Sequence, residues 1–155
     1  MKVFVYSREA IELIISQGEF PKNTAVISFS DPELRLIDKN YAPVDYSRVG
    51  CEVFYCDVDD YDLDSLEEEG FTYDSFFPEA ASLAKYINRC FLEGKDIICQ
   101  CEYGQSRSAG CAAAILEHYY RRGIDIFTSY DYFPNLVIYH KVFNALMSSE
   151  SQPVQ

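Results

Sequence analysis

The sequence predicts a single α/β domain with a central, mostly parallel sheet of four or five strands flanked by helices. Short apolar segments alternate with segments of helical periodicity along the 155 residues, which is typical of right-handed βαβ units. A hydrophobic content of 48% with 15% aromatic residues is enough to bury a full core. Ligands of such folds bind at the carboxyl ends of the strands. A functional site is therefore expected where a strand ends and a helix begins.

The N-terminal half is predicted to contain three strands separated by helical segments. Runs rich in β-branched and aromatic residues indicate the strands, which lie at residues 2–6, 24–30 and 52–58. Ser7 can cap a first helix, "REAIELIISQ", and a helical turn is expected in "PELRLI" after the turn signal Asp31-Pro32. The acidic stretch of residues 57–70 is expected to be a solvated, flexible loop.

The C-terminal half is predicted to be mostly helical around one buried strand. Apolar residues spaced three to four apart predict a helix from Phe77 to Gly94. The segment "DIICQC" (96–101) indicates the strand, and helices are predicted over residues 108–122 and 134–147. We expect one domain over residues 1–148 and a flexible tail over residues 149–155.

Composition excludes some classes of function. The net charge of −12 and the isoelectric point near 4.4 argue against a general nucleic-acid binder or a protein that binds anionic membranes, because both need basic surface. The N-terminus meets Arg8 and Glu9 before a signal-peptide core could form. Six cysteines are dispersed through apolar segments and are expected to be reduced thiols. The sequence thus predicts a soluble, cytoplasmic protein.

The segment "CEYGQSRS" (101–108) joins the buried strand to the following helix. Successive amides of such a loop can curl into a concave nest, and the helix N-terminus adds unpaired donors and the positive end of its dipole. Gly104 permits the positive φ that a tight loop needs. Arg107 adds a planar guanidinium that can bind two oxygens of a phosphate at once. The pattern predicts a cradle for a phosphate-sized anion.

Cys101 begins this loop and is the candidate nucleophile. Thiols near a helix N-terminus and an arginine ionise more readily, so we expect Cys101 to attack the phosphorus of an ester that Arg107 holds. Ser108 can donate a hydrogen bond to the sulfur. The alternative is a buried structural cysteine followed by an arginine in a surface ion pair. The fuller pattern Cys-x2-Gly-x2-Arg-Ser, placed between a strand and a helix, favours the catalytic interpretation.

"CEYGQSRS" resembles the phosphate-binding signature of the cysteine-based protein tyrosine phosphatases, nearest to the compact dual-specificity type of bacteria. The blocks "FVYSREAIELI", "TAVISFSDPE", "FYCDVDD", "RSAGCAAAIL" and "FPNLVIYHKVFNAL" are similar to blocks of those compact relatives in the same order. The resemblance covers most of the chain, and the loop is its specific part.

The resemblance implies a role for each residue of the loop. Cys101 would form a phosphocysteine intermediate, Arg107 would bind the phosphoryl group and stabilise the transition state, and Ser108 would assist breakdown of the intermediate. The phosphate would be held by the cradle residues Glu102, Tyr103, Gly104, Gln105, Ser106 and Arg107. No cofactor and no metal is implied. The usual histidine before the nucleophile is Gln100 here, which removes one contributor to thiolate stability.

The family also uses an upstream aspartate as general acid, which protonates the leaving oxygen and then activates water. This sequence offers five, at positions 57, 59, 60, 62 and 64. Matching "FYCDVDD" to a strand followed by the acid favours Asp60, with Asp59 as the second choice.

Other residues of reactive type have structural explanations that we prefer. His118 and His140 are the only histidines and are expected to be packing or surface residues. Cys99 and Cys111 could resolve an oxidised Cys101, although core packing explains them better, and the one-residue spacing of Cys99 and Cys101 does not favour zinc. Tyr103 could line the pocket wall, and Asn135 is expected to cap the last helix.

The sequence therefore predicts a phosphomonoester hydrolase of the tyrosine or dual-specificity type, acting on a phosphorylated protein or a small phosphomonoester. Two alternatives stay open. One is a non-catalytic module that binds phosphate without a working acid. The other is a thiol redox or arsenate-reducing protein, since some of those also use a C-x5-R loop.

Overall fold

A computed structural model describes residues 1–150 of the chain. Strands and helices alternate as the sequence predicts, and three short helices complete the set. The elements, in chain order, are β1 (Val3–Ser7), α1 (Arg8–Ser16), β2 (Thr24–Ser30), α2 (Pro32–Ile37), β3 (Val53–Asp57), α3 (Leu63–Glu68), α4 (Ala80–Leu92), β4 (Asp96–Cys101), α5 (Arg107–Tyr120), α6 (Ile124–Phe127) and α7 (Leu136–Glu150).

The sheet has four parallel strands in the order β1-β4-β2-β3. This confirms the predicted fold class, a single small α/β domain with a parallel sheet flanked by helices. The register pairs Ser7 of β1 with Cys101 of β4, and Ser30 of β2 with Asp57 of β3. Because all four strands run in one direction, these residues lie at the same edge of the sheet. The predicted nucleophile is therefore among the strand ends where ligands of such folds bind.

Two hydrophobic cores cover the two faces of the sheet. Side chains alternate along β2 and β4, so that Ile27 and Cys99 face the larger core, which α4, α5 and α7 complete. Val26 and Ile98 face a smaller core that contains Ile11 of α1. Both central strands are buried on both faces, as expected for an all-parallel sheet.

The packing of α5 on the start of α7 positions part of the site. Gly110 of α5 lies so close to the backbone carbonyl of Asn135 that a Cβ at this position would clash with it. The small side chains of Ala109, Ala112 and Ala113 are fully buried along the same helix. This close approach brings the residue before α7 next to the loop that follows β4.

The acidic stretch is more ordered than we predicted. Residues 63–68 form helix α3, with Asp62 as its N-cap and Leu66 buried in the core, so the expectation of a flexible loop over the whole stretch is wrong. Helix α7 continues through Glu150, two residues into the predicted tail, and residues 151–155 lie outside the described part of the chain.

All six cysteines are free thiols, and five of them are buried. Within residues 1–150, none of the helices combines the length and the apolar character needed to cross a bilayer.

Candidate active site

Cys101 lies at the junction of a strand, a loop and a helix. It is the last residue of β4, and only 2% of its surface is exposed. Its Sγ lies 3.0 Å from the Oγ of Ser108, which belongs to the first turn of α5 and is fully buried. The predicted nucleophile and the hydroxyl predicted to assist it are thus in direct contact.

Gly104 allows the loop to fold tightly against the β1–α1 junction. Its φ is +67°, and a Cβ added here would lie 2.5 Å from the backbone nitrogen of Ser7. Both the backbone conformation and the contact therefore require glycine. Ser7 in turn accepts a hydrogen bond from the amide of Ala10 and caps α1. The loop consequently packs on a rigid helix start.

The loop turns its carbonyls outward. Three of them accept backbone hydrogen bonds from neighbouring segments, in the pairs Arg8 N to Glu102 O (3.1 Å), Phe133 N to Gln105 O (2.9 Å) and Asn135 N to Ser106 O (3.1 Å). The amides of residues 102–106 donate to no carbonyl or side chain within residues 1–150. Oriented amides of this kind form the concave nest in which anions bind.

Arg107 is held in place by its Nη1 atom. This atom lies 2.7 Å from Oδ1 of Asp31 and donates to the carbonyls of Val58 (2.8 Å) and Ser30 (3.3 Å). Burial lowers the pKa of Arg107, but the contact with Asp31 outweighs it and the pKa is raised above its ordinary value. The side chain is 4% exposed, so a permanently charged guanidinium is fixed inside the protein.

The opposite edge of the same guanidinium is open. Nε of Arg107 is buried and has no hydrogen-bond partner within the part of the chain that the structure describes. Buried donors are nearly always satisfied, and a guanidinium anchored through Nη1 can still present its Nε edge to two oxygens of one anion. This edge and the loop amides are the two sets of unpaired donors in the candidate site.

Asp60, the preferred general acid, contacts the loop directly. Its Oδ1 accepts hydrogen bonds from Oγ of Ser106 (2.7 Å) and from Nδ2 of Asn135 (2.8 Å). Asn135 also donates to the carbonyl of Tyr61 (2.9 Å) and, as predicted, caps α7 by accepting from the amide of Ile138 (2.9 Å). The amide of Asn135 thereby joins the segment after β3 to the start of α7.

Asp59, the second choice, lies on the other side of that segment. Its Oδ1 accepts a hydrogen bond from the amide of Glu33 (3.1 Å). Partial burial raises the pKa of the Asp59 carboxyl, the nearby charges of Glu33 and Asp31 raise it further, and the charge of Arg107 opposes them. A carboxyl with a raised pKa holds its proton more readily, which is the property of a general acid.

The remaining candidate aspartates have other partners or positions. Asp57 pairs with Arg35 at 2.7 Å, and Asp62 caps α3 by accepting from the amide of Ser65 at 2.9 Å. The hydrogen bonds from Ser65 lower the pKa of Asp62, the opposite of what a general acid needs. Asp64 is exposed in the first turn of α3.

Gln100 points away from the cradle. Its Oε1 accepts two hydrogen bonds in the smaller core, from Oγ of Ser28 (2.6 Å) and from the hydroxyl of Tyr46 (2.9 Å). Burial raises the pKa of Tyr46 far above its ordinary value, so this hydroxyl stays protonated and donates. Both buried hydroxyls are therefore satisfied by one amide oxygen, and Gln100 has no hydrogen bond to the Cys101 side chain within residues 1–150.

Solved structures share this architecture. The human tyrosine phosphatase-like serine/threonine/tyrosine-interacting protein is 15% identical with a TM-score of 0.57, and the alignment covers 96% of this chain and 91% of that one. A structure of PTPMT1 is 11% identical with a TM-score of 0.50, covering 97% and 92%. The chain has the fold of the cysteine-based protein tyrosine phosphatases. A second PTPMT1 structure, with 12% identity and a TM-score of 0.50, contains PI(5)P.

Sequence comparison does not extend this result. The chain matches no model of a protein family and has no significant match among the curated proteins. The similarity to known phosphatases is therefore one of fold.

The side chains of the remaining candidates form no hydrogen bond or ion pair with Cys101 or Arg107 within residues 1–150. His118 is buried in α5 with its Nε2 3.1 Å from Oε1 of Glu150, far along the chain from the loop. Cys99 and Cys111 are fully buried, and burial raises the pKa of Cys99 well above its ordinary range. Tyr103 is 79% exposed at the loop surface. Within residues 1–150, no group of three or more His, Cys, Asp or Glu side chains could hold a metal ion.

Asp31 is the residue of this candidate site that the sequence did not identify. It follows β2, and its pairing with Arg107 joins residues 76 positions apart in the chain. The available signal was topological, because β2 lies next to β4 in the sheet and the residues after parallel strands meet at one edge. The dipeptide Asp31-Pro32 predicts a turn, but it does not indicate that the Asp31 carboxylate pairs with an arginine.

Proposed function

We propose that this protein is a phosphomonoester hydrolase of the protein tyrosine or dual-specificity type, acting through Cys101 and Arg107. The observation that carries the proposal is the open Nε edge of a buried, charged guanidinium, next to a loop whose amides have no protein acceptor within residues 1–150. Asp31 already balances the charge of this guanidinium, but its unpaired Nε donor and the loop amides are suited to an anion, and the thiol of Cys101 lies at the base of the same loop.

The first step transfers the phosphoryl group to sulfur. The thiolate of Cys101 attacks phosphorus, an S–P bond forms, and the bond from phosphorus to the ester oxygen breaks. The leaving oxygen takes its proton from the general acid. Arg107 and the amides of residues 102–106 hold the three phosphoryl oxygens, which carry the charge of the transition state.

The second step regenerates the enzyme. The aspartate that lost its proton accepts one from water, the water oxygen bonds to phosphorus, and the S–P bond breaks. The departing sulfur accepts a hydrogen bond from Ser108, whose Oγ lies 3.0 Å from Sγ. This contact stabilises the negative charge that returns to Cys101, and inorganic phosphate leaves the cradle.

Asp60 is our candidate for the general acid. It is tied to the cradle through Ser106, and both of its hydrogen bonds go to Oδ1, which leaves Oδ2 to carry the proton. Asp59 is the second candidate because burial raises the pKa of its carboxyl. Different observations support the two aspartates. Asp60 contacts the loop directly, whereas the raised pKa of Asp59 favours retention of its proton.

Hydrolysis of an aryl phosphate tests the proposal. The wild type is expected to release phosphate, and Cys101→Ser is expected to lose at least about a thousandfold in kcat. Vanadate binding by calorimetry serves as the second measurement, because it reports the cradle without turnover. Vanadate binding with no hydrolysis by the wild type would reject the enzyme and favour a phosphate-binding module. Loss of hydrolysis in a Cys99→Ala, Cys111→Ala variant would favour the thiol redox alternative.

The pH dependence of kcat identifies the acid. A general acid must be protonated, so its titration produces a fall in rate on the alkaline side. We expect Asp60→Asn to remove this alkaline limb of the pH–rate profile and to lower kcat about a hundredfold. Asp59→Asn is expected to keep the alkaline limb. Asp57→Asn and Asp62→Asn are matched controls with the same change of charge. Loss of the limb in Asp59→Asn alone would transfer the role to Asp59, and retention of it in all four variants would reject both.

A further inference from the structure

A groove of about 640 Å³ opens beside the cradle, on the side of Asp60. Ser106 of the loop and Asp60 belong to its lining and are hydrogen-bonded to each other, so the groove borders the loop that would hold a phosphate. The start of α3, with Leu63, forms one wall, and the first turns of α7, with Leu136, form the other. A substrate extending from the cradle in this direction would enter the groove.

The walls of the groove expose apolar side chains. Leu63 and Leu136 are 58% and 57% exposed, and Phe133, just before α7, is 74% exposed. Tyr73 lies in the same lining and is also partly exposed. Exposed apolar residues are common singly, but a cluster of them inside a concave surface is typical of a binding site. The groove can therefore bury an apolar side chain of a ligand.

The charged side chains that line the groove are mainly carboxylates. Asp60, Asp62 and Asp64 contribute carboxylates, and His140 is the one basic residue among the lining side chains of the described chain. Lys141 lies nearby but is directed to Tyr73, where its Nζ donates to the carbonyl at 2.7 Å and lies over the ring. With a net charge of −12 for the chain, a cation in the groove is attracted and an additional anion is repelled.

We propose that this groove binds the residues next to a phosphorylated side chain, and that it selects peptides carrying a cationic and an apolar residue there. The inference rests on the proposed function and specifies its substrate class. Consecutive residues of an extended chain are about 3.3 Å apart, so the first residues beyond the phosphorylated one reach the lining that Ser106 shares with the cradle. A lipid headgroup with further phosphates would bring anions toward the same carboxylates.

Two pairs of phosphotyrosine peptides test this selection. The members of each pair differ only in two residues beside the phosphotyrosine, Arg-Leu in one and Glu-Ser in the other, placed before it in one pair and after it in the second. The expected result is a kcat/KM about tenfold higher for the Arg-Leu peptide in at least one pair. Equal values in both pairs would overturn the inference.

Substitutions inside and outside the groove test whether its side chains cause the peptide selectivity. Asp64→Lys replaces an exposed carboxylate of the lining and is expected to reduce the Arg-Leu to Glu-Ser ratio to about one or below. Glu19→Lys makes the same change of charge at an exposed position outside the groove and should keep the ratio of the wild type. Leu63→Ser tests the apolar wall and should lower kcat/KM of the Arg-Leu peptide about threefold. Equal ratios in Asp64→Lys and the wild type would contradict the proposal.

The design separates failure of the groove from failure of the function. Aryl phosphate hydrolysis with no discrimination between the peptides would reject the groove and leave the hydrolase. Without aryl phosphate hydrolysis, fluorescence anisotropy with the same labelled peptides decides: tighter binding of an Arg-Leu peptide supports the groove, and equal binding rejects it. Faster hydrolysis of a phosphoinositide in vesicles than of any of the four peptides would also overturn the inference.

Discussion

At the scale of single residues, the site divides the guanidinium of Arg107 into two edges with different tasks. Nη1 is bound to the protein by a carboxylate and two carbonyls, and Nε has no hydrogen-bond partner within residues 1–150. The orientation of the open edge thus depends on Asp31, which lies in the loop after β2. An arginine without such an anchor would lose several rotatable bonds of freedom each time it bound an anion.

Replacing Asp31 tests this dependence. Asp31→Asn removes the charge that holds Nη1, so we expect kcat/KM for an aryl phosphate to fall about tenfold or more, with vanadate binding weakened in parallel. Asp38→Asn, at an exposed position after α2, should match the wild type in both measurements. If Asp31→Asn bound vanadate more tightly than the wild type, repulsion by Asp31 would outweigh its anchoring role.

Gly104 offers a second test at this scale. Gly104→Ala introduces a Cβ that would lie 2.5 Å from a backbone nitrogen of β1, so the loop must shift and we expect vanadate binding to be lost. Gly94→Ala is the control, because its φ of +68° is nearly the same and nothing lies within 4 Å. It should keep vanadate binding and cost about 1 kcal/mol of unfolding free energy from backbone strain alone, measured by urea denaturation. Equal vanadate affinity in the two variants would contradict the packing argument.

At the scale of elements, the acidic stretch of residues 57–70 contains helix α3, which the sequence did not predict. Helix α3 buries a single large side chain, Leu66, and has too few residues for a helical period to be recognised. Asp62 and Ser65 carry the available signal, since a side-chain acceptor three residues before a serine amide is a capping arrangement. The many carboxylates around Asp62 make this capping pattern difficult to distinguish from a solvated acidic loop. Helix α3 also forms one wall of the groove.

The cap of α3 should depend on pH. Hydrogen bonds from Ser65 lower the pKa of Asp62 in the folded protein, so the stabilisation is present above the ordinary aspartate value of about 3.9 and is lost as the pH falls through the lowered value. We expect hydrogen-exchange protection of the α3 amides to decrease between about pH 6 and about pH 3. Asp62→Asn, which caps without a charge, should lose less protection. Equal losses in the two proteins would assign the effect to other carboxyls.

The long elements were predictable and their mutual contacts were not. Strands β2 and β4 are runs of buried residues, and α4 and α5 have clear apolar spacing and glycines after them, so pattern alone placed them. The predicted nucleophile Cys101 and Arg107 belong to one continuous segment of the sequence. The contacts of Arg107 with Asp31 and of Asp60 with Asn135 join distant segments, and their geometry depends on strand order and helix packing, which a single sequence does not contain.

At the scale of the whole molecule, the site places a local positive charge inside an acidic protein. The buried guanidinium and the loop amides attract an anion over a short range, and the net charge of −12 repels it at longer range. Under the proposed function, a small dianion would therefore approach against the overall field and be stabilised only after it entered the cradle.

This balance predicts the salt dependence of the reaction. Raising the ionic strength from about 10 mM to about 150 mM shortens the Debye length from about 30 Å to about 8 Å, which screens the repulsion by distant carboxylates. We expect kcat/KM for a dianionic aryl phosphate to rise about twofold over this range while kcat changes little. A variant with Glu9→Gln, Glu19→Gln and Glu68→Gln, all exposed positions, should show a smaller rise. A fall with salt would show that local positive charge dominates the approach.

The network behind the nucleophile has a consequence for how this sequence can vary. Oε1 of Gln100 satisfies the hydroxyls of both Ser28 and Tyr46, whereas a neutral imidazole has only one acceptor nitrogen. A histidine at position 100 would therefore remove the present acceptor of one of these buried hydroxyls unless Ser28 or Tyr46 changed as well. These positions should be epistatic: Gln100→His is expected to be poorly tolerated alone and better tolerated together with Ser28→Ala. The residue before the nucleophile is thus coupled to positions 28 and 46 and cannot change independently of them.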